Sequence, residues 1–456
     1  MSIRRILIAN RGEIAARIAR TCRELGIETV LAASEADRES LPARLVTRVV
    51  CIGPAHPSAS YLQPGTLVQA ALGTGCDALH PGYGFLSERA AFARLCEQHG
   101  LIFIGPTSGQ LAAAGDKLAA RAVAQEVGVP LAPGGEVSSP EAARELAARI
   151  GTPLLVKAAG GGGGRGMKLV ERAQDLDAAL ELAAAEAGAA FGDTRVYLER
   201  FVASARHVEV QVLGDGTGNV VHLGERDCSV QRRYQKIIEE TPAPGLSAEL
   251  CGQLHAAAMR FAARLKYRGA GTVEFLVDVR RNEFYFLEMN ARIQVEHPVT
   301  EAVSGVDIVA AQIAIASGQG LRLARGESRR EGCAIECRIN AEDPARDFAP
   351  SPGLVKTVRW PRGEGIRVDT HVEAGTRVPP FYDSLLGKII THGSDRAQAL
   401  ARLRAAVAMT RIEGVATNLA LHADLLADPE FAAGGVDTAY LPRFLGRRVS
   451  AAVNHG

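Results

Sequence analysis

The ten residues Glu288-Met289-Asn290-Ala291-Arg292-Ile293-Gln294-Val295-Glu296-His297 constrain this chain most, because polar side chains recur at alternate positions directly behind the apolar run Phe284 to Leu287. In an extended backbone successive side chains take opposite faces, so Glu288, Asn290, Arg292, Gln294 and Glu296 are expected on one side and Met289, Ile293 and Val295 on the other. The pattern specifies a strand leaving a hydrophobic core with a polar face. Upstream, Thr272 to Val277 is β-rich, and Arg280-Arg281-Asn282 suits a hairpin loop in which asparagine takes the left-handed conformation. A hairpin centred on Arg281 pairs Glu274 with Glu288. Two carboxylates facing each other across a ladder repel unless a cation lies between them, and with the Asn290 amide they make an all-oxygen set suited to Mg²⁺ or Mn²⁺.

A chain of 456 residues exceeds what one core usually serves, so several subdomains are expected. Its net charge of +1 is spread along the sequence, which leaves no electrostatic footprint for nucleic acid or an anionic membrane. Behind Arg4 and Arg5 the apolar run Ile6 to Ala9 is too short for a signal peptide, and no apolar run of about 18 residues occurs, so a cytoplasmic protein is expected. Eight cysteines without a CxxC pair read as reduced thiols; Cys333 and Cys337 fall on one strand face as core residues.

Ile6 to Ala9, Gly12 to Leu25 and Glu28 to Ala33 read as strand, helix and strand, opening a doubly wound N-terminal domain. Asn10-Arg11-Gly12-Glu13 stands where dinucleotide folds bind phosphate but lacks the further glycines of that fingerprint, and reads as a structural turn. Ala78 to Glu88 is a glycine-punctuated loop after a short strand, with Ser87 expected to cap the next helix and Tyr83 facing either a ligand or the interior. A helix from about Ser108 is expected to continue through Asp116-Lys117.

Residues 131 to 203 form a distinct unit centred on Leu154 to Ala159, the five glycines Gly160 to Gly164, and Arg165 to Val170. Gly161, Gly163 and Gly166 satisfy GxGxxG, but the strand-like Met167 to Val170 that follows excludes a dinucleotide fold, and no Gly-Lys-Ser/Thr is present for a Walker A loop. Glycines without Cβ let backbone N–H groups close over phosphate oxygens, with Lys157 adding charge from the preceding strand. Glu199-Arg200-Phe201-Val202 is placed to present backbone groups to an adenine. Arg206 to Val212 alternates as a strand with His207, Glu209 and Gln211 on one face. Glu225 to Lys236, dense in charge, reads as a cationic loop beside an anionic reaction. Beyond residue 330, the apolar strand Cys333 to Asn340, the run Leu385 to Thr391 and a helix near Arg396 to Met409 describe an antiparallel α+β domain.

A strand-borne carboxylate pair with an asparagine, and a glycine-rich lid with a lysine, together resemble an ATP-grasp ligase. The strings Asn10 to Ala15, His80 to Glu88, Glu225 to Ser229 and Glu288 to His297 narrow the resemblance to the biotin carboxylases, the ATP-dependent components of biotin-dependent carboxylases such as acetyl-CoA carboxylase, from about Ile3 to about residue 445. It implies an ATP-grasp fold of three parts: a Rossmann-like domain over 1–113, an ATP-grasp domain over 114–330 with its lid at 131–203, and a C-terminal domain over 331–456. It also implies roles. Lys117, Lys157, Gly163, Gly164, the segment Glu199, Arg200, Phe201 and Val202, His207, Gln231 and the position of Tyr234 match nucleotide contacts. Glu274, Glu288 and Asn290 match ligands of two Mg²⁺ or Mn²⁺ sites. Lys236, Arg292 and the backbone of Val295 match a bicarbonate site, Glu296 a general base, Arg338 the group facing the biotin ureido ring, and Tyr83 a biotin contact. Tyr234 departs from the family, which carries histidine there; tyrosine cannot be cationic at neutral pH, so a weaker hold on nucleotide is expected.

The implied reaction activates bicarbonate with ATP as carboxyphosphate and passes the carboxyl group to N1′ of biotin. No Met-Lys-Met occurs among the five methionines, so biotin is expected on a separate biotin carboxyl carrier protein, served by separate carboxyltransferase subunits, with the chain a homodimer by resemblance. Two competing readings are an ATP-grasp ligase for another carboxylate or amine, and a nucleotide-binding subunit without catalysis. Arg338 and the Glu288 to His297 string oppose the first; Glu296, Arg292, Lys236 and both metal glutamates oppose the second.

Overall fold

Three sheets of different character position the site in the computed structural model, which describes residues 3–159, 167–321 and 330–453. The first is five-stranded and parallel, ordered Arg48–Cys51, Glu28–Ala33, Arg5–Ile8, Ala78–His80, Ile102–Phe103. Its strand order reverses between Arg5–Ile8 and Ala78–His80, the crevice where open parallel sheets usually take ligands. Here Asn10 to Glu13 and Tyr83 border the cavity described below. The Asn10 amide donates to the carbonyls of Pro81 and Tyr83 at 2.7 Å each and clamps the loop carrying Tyr83; the motif Asn10 to Glu13 is a strand-to-helix junction whose last two residues open the helix Gly12–Glu24.

The second sheet is antiparallel and eight-stranded, ordered Glu283–Asn290, Arg268–Asp278, Arg206–Asp215, Val220–Arg232, Gln235–Thr241, Cys333–Asn340, Leu385–Gly393, Ile366–Thr370. It runs unbroken from the residues before position 330 to those after it. The period of two explains its two faces. Val208, Val210 and Val212 pack with Leu254 and Phe261 of the helix Ala248–Arg264, while His207, Glu209 and Gln211 turn to the opposite side. Burying such side chains is worth roughly 1.5–3 kcal/mol each, enough to hold the register that fixes the polar face. Cys333 and Cys337 lie in the core as reduced thiols, and burial pushes Cys333 up to about 11.

The third sheet is a small antiparallel one, ordered Gly134–Glu136, Val196–Arg200, Leu154–Ala158, Met167–Val170, backed by helices Pro140–Ile150 and Leu176–Phe191 around Leu146, Leu154, Val156 and Leu198. Ser139 caps the first helix by accepting from the Ala142 N–H, Pro140 opens it, and Gly151 at φ 78° ends it. Gly163 and Gly164 lie outside the described residues.

Four expectations need correcting. The strand from Glu283 ends at Asn290, and residues 291–296 form neither strand nor helix, so the polar residues beyond Asn290 do not share a strand face. The Glu88 carboxylate draws the chain out of the sheet by accepting from the Ala291 N–H at 3.0 Å, and Pro298 then starts a helix at His297. Ser87 does not cap the helix Ala90–Gln98, whose N-cap is Arg89; the Ser87 hydroxyl is buried without a partner among the described residues. The helix from Ser108 stops at Gly115, because the Asp116 carboxylate accepts from Leu118 and Ala119 and starts a second helix, Lys117–Glu126. Finally, Glu225 to Lys236 is no loop: it fills two strands joined by the tight turn Arg233-Tyr234, at φ 47° and 67°, because its charges pair inward with the neighbouring strand. Among the described residues no single helix is long and apolar enough to cross a membrane.

Candidate active site

A cavity of about 1100 Å³ opens where the three sheets meet, with the polar face of the large sheet as its floor. The hairpin delivers the pair inferred from sequence: Glu274 lies opposite Glu288, and Thr272 opposite Asn290. The turn itself sits at Val279 to Asn282, one residue longer than the expected loop and so half a position off the expected centre, and a bulge beside Glu274 restores the register; Asn282 takes φ 55°.

The floor is a lattice of interlocked charges. Lys236 donates to Glu209 at 2.5 Å, Glu296 at 2.6 Å and Glu274 at 3.1 Å. Arg338 donates to Glu239 at 2.6 Å and to Glu296 at 2.9 Å. Glu296 is therefore gripped by two cations while fully buried. Burial pushes its carboxyl up, but Lys236, Arg338 and Arg226 override that and hold it well below the usual carboxylate range. Glu274 behaves likewise: against burial, Lys236 and His207 keep it low, and it accepts from His207 at 3.0 Å and Asn290 at 2.8 Å. Burial lowers the His207 imidazole, and Glu274 more than reverses this, raising it above its ordinary value. Burial pushes Glu239 up to about 7 even beside Arg338.

Arg292 spans the edge of the floor, donating to Glu88 at 2.8 Å, Gln294 at 2.6 Å and Asn290 at 2.8 Å. Lys117, at the start of its helix, lies 3.5 Å from Glu288. Gln231 reaches the other nitrogen of His207 at 3.4 Å. Phe201, Val202, Val295 and Tyr83 line the cavity, and the Tyr83 hydroxyl donates to Glu13. The lid residues divide. Lys157 lines the cavity but its ammonium is bonded to Glu199, which Arg121 also holds at 2.5 Å, and Glu199 and Arg200 are not in the cavity wall; Arg200 donates to the Tyr285 hydroxyl at 2.8 Å. Tyr234 stands at the mouth, 57% exposed.

Four residues of the floor and its edge carried no role in the sequence reading: Glu88, Glu209, Arg226 and Glu239. A signal was present for two of them. Glu209 and Glu239 are each a charge among apolar strand residues, where it needs a partner across the sheet; Arg226 was hidden in a charged string, and Glu88 lies on an exposed loop with no local signal. Arg226 is 0% exposed and donates to Glu209 at 2.6 Å and to Gln211 at 2.8 Å.

Glu274, Glu288 and Asn290 fit a hard divalent cation: the donor set is all oxygen, the residues border one cavity, and Glu288 has one cation nearby at 3.5 Å.

Residues 2–111 match the model of the biotin carboxylase N-terminal domain, 116–324 that of the carbamoyl-phosphate synthase L chain ATP-binding domain, and 336–443 that of the biotin carboxylase C-terminal domain. The biotin carboxylase of Pseudomonas aeruginosa is 51% identical over 97% of this chain and 99% of its own. The chain belongs to the biotin carboxylase family. The biotin carboxylase of Nostoc sp. is 48% identical over 97% of this chain and 99% of its own. Among solved structures, the biotin carboxylase of Campylobacter jejuni, in a β-γ-ATP complex, superposes at a TM-score of 0.94 with 45% identity, covering 97% of this chain and 99% of that one. The biotin carboxylase domain dimer of Hydrogenobacter thermophilus 2-oxoglutarate carboxylase, in complex with MgADP, ADP and bicarbonate, also superposes at 0.94 with 43% identity, covering 97% and 98%. The fold is thus the ATP-grasp fold of the biotin carboxylase family, with a parallel N-terminal sheet.

Proposed function

We propose that this chain uses ATP to carboxylate the biotin of a carrier protein, with bicarbonate as carbon source and carboxyphosphate as intermediate. The observation that carries the reading is Glu296, buried and gripped by Lys236 and Arg338 on the floor that also bears Glu274. Bicarbonate is a weak nucleophile that must approach a polyanion, and a cluster of cations around one ionised carboxylate answers both difficulties. In this reading Lys236, Arg292 and the Val295 N–H hold bicarbonate, and Glu296 takes its proton. As bicarbonate draws the ammonium and guanidinium toward its own charge, Glu296 loses the bonds that keep its proton affinity low, and burial raises that affinity at the moment it is needed.

The deprotonated bicarbonate oxygen attacks the γ-phosphoryl group, ADP leaves, and carboxyphosphate forms. The C–O bond of carboxyphosphate breaks to release phosphate, the departing phosphate takes the N1′ proton of biotin, and N1′ bonds the carboxyl carbon, while Arg338 offsets the negative charge on the ureido oxygen without losing its own proton. Lys117, Lys157, His207, Gln231 and the segment Glu199 to Val202 are assigned to the nucleotide, with Gly163 and Gly164 over its phosphates. A divalent cation held by Glu274, Glu288 and Asn290 supplies charge neutralisation at the phosphates. Tyr83 is assigned to biotin, and a homodimer serving a carrier protein and carboxyltransferase subunits completes the reading. The test is transfer of isotope-labelled bicarbonate to free biotin by the purified chain. Label retained on biotin only when ATP is present supports the assignment; ATP cleavage without labelled biotin refutes it.

A further inference from the structure

The segment 291–296 that carries the proposed bicarbonate contacts belongs to no strand or helix; the helix after it bonds the Gln294 and Glu296 carbonyls, and side chains from distant elements hold the segment at both ends. At one end Glu88 holds the Ala291 N–H and the Arg292 guanidinium. At the other, Lys388 reaches up from the strand Leu385–Gly393. Its ammonium is fully buried, donates to the Val295 carbonyl at 2.6 Å and lies 3.1 Å from a Glu13 carboxylate oxygen. The same Glu13 oxygen accepts from the Tyr83 hydroxyl. Lys388 is not in the cavity wall, so it touches no substrate there.

A buried ammonium is costly unless its partners are well placed, and a hydrophobic residue at such a position usually serves stability as well or better. Here one of its acceptors is a backbone carbonyl of the functional segment. The Val295 carbonyl and the Glu296 N–H and Cα belong to one planar peptide unit, so fixing the carbonyl direction fixes the plane that places the Glu296 Cα, from which its side chain reaches Lys236 and Arg338. Burial, then the Glu13 charge, keep the Tyr83 phenol protonated and donating. Glu13, in the motif read above as a structural turn, thereby joins the loop facing the cavity at Tyr83 to the peptide that orients Glu296.

We propose that Lys388, held by Glu13, is a positioning residue for the bicarbonate site: it orients the Val295–Glu296 peptide and touches no substrate itself. This rests on the function proposed above. The experiment measures KM for bicarbonate and for ATP, separately, in biotin-stimulated ADP release. Glu13→Gln/Lys388→Met removes both buried charges together and is expected to raise KM for bicarbonate at least tenfold while KM for ATP stays within twofold. Lys388→Arg, which can still donate to the carbonyl, is expected to stay within threefold of the parent. Glu13→Gln alone, isosteric and able to keep the Tyr83 bond, is expected to raise KM for bicarbonate about threefold, and decides the matter should the double variant not fold. A parallel rise in both KM values, or an unchanged bicarbonate KM in Glu13→Gln, overturns the proposal. Absence of biotin-stimulated turnover in the parent chain would instead overturn the proposed function.

Discussion

The floor of the cavity and the turn at its mouth meet in one hairpin, Val220–Arg232 with Gln235–Thr241, which carries both Lys236 and Tyr234, yet they are determined in opposite ways. On the floor, Lys236 meets three carboxylates and Glu296 meets two cations, all within 3.1 Å and shielded from water. At the mouth, two residues before Lys236, Tyr234 is 57% exposed on a left-handed turn. Each floor charge is held by several others, so removing one leaves its partners buried and unpaired. Such networks contribute little net stability. They supply preorganised charge, which is what phosphoryl and carboxyl transfer need. The mouth contributes contacts that water and salt can replace.

The comparison predicts a ranking of effects. Glu296→Gln is expected to lower biotin-dependent turnover by about 10²–10⁴, the range for a lost general base, with little change in KM for ATP. Steady-state kinetics check this; near-native turnover would remove Glu296 from the chemistry. Arg338→Gln is expected to lower turnover roughly 10²- to 10³-fold and, by leaving Glu239 and Glu296 without that cation, to lower stability by about 3–5 kcal/mol, read by denaturant unfolding.

Glu274→Gln should invert the titration of His207. Burial alone lowers an imidazole and Glu274 raises it, so the wild-type ring titrates above its ordinary value and the variant below it, as followed by NMR. The sign for stability follows: in the wild type this pair's contribution is complete below the unfolded histidine value of about 6.5 and is lost as pH rises through the higher folded value. A His207 titration that ignores the substitution would break the floor as a coupled unit. Tyr234→His at the mouth is the smallest change, expected to lower KM for ATP by no more than about fivefold, which corresponds to the ~1 kcal/mol ceiling for exposed charge contacts. An effect as large as those on the floor would erase the distinction between the two regions.

Much of the floor was legible in sequence because it is strand-borne. Alternation put His207, Glu209 and Gln211 together, and hairpin symmetry put Glu274 opposite Glu288 although the turn is one residue longer than expected. Legibility ended where side chains from distant segments take over from the ladder. Nothing local announces that Glu88 pulls the chain out of the sheet at Ala291, or that Lys388 meets Glu13 across 375 positions. Lys388 still left a trace, a lone cation in Leu385-Leu386-Gly387-Lys388-Ile389-Ile390, where burial obliges an ammonium to find an acceptor. The charged string Glu225 to Lys236 misled for a related reason. Charge density suggests a surface, yet Arg226 and Asp227 are buried because each has a counter-charge on the neighbouring strand.

The central claim, that the Glu296, Lys236 and Arg338 cluster activates bicarbonate for transfer to biotin, is tested most directly by ADP release from the purified chain with Mg²⁺ and ATP, varying bicarbonate and free biotin independently. The account predicts strong stimulation by biotin that vanishes when bicarbonate is withheld. ADP release indifferent to biotin would contradict it and assign the same floor to another ATP-dependent ligation.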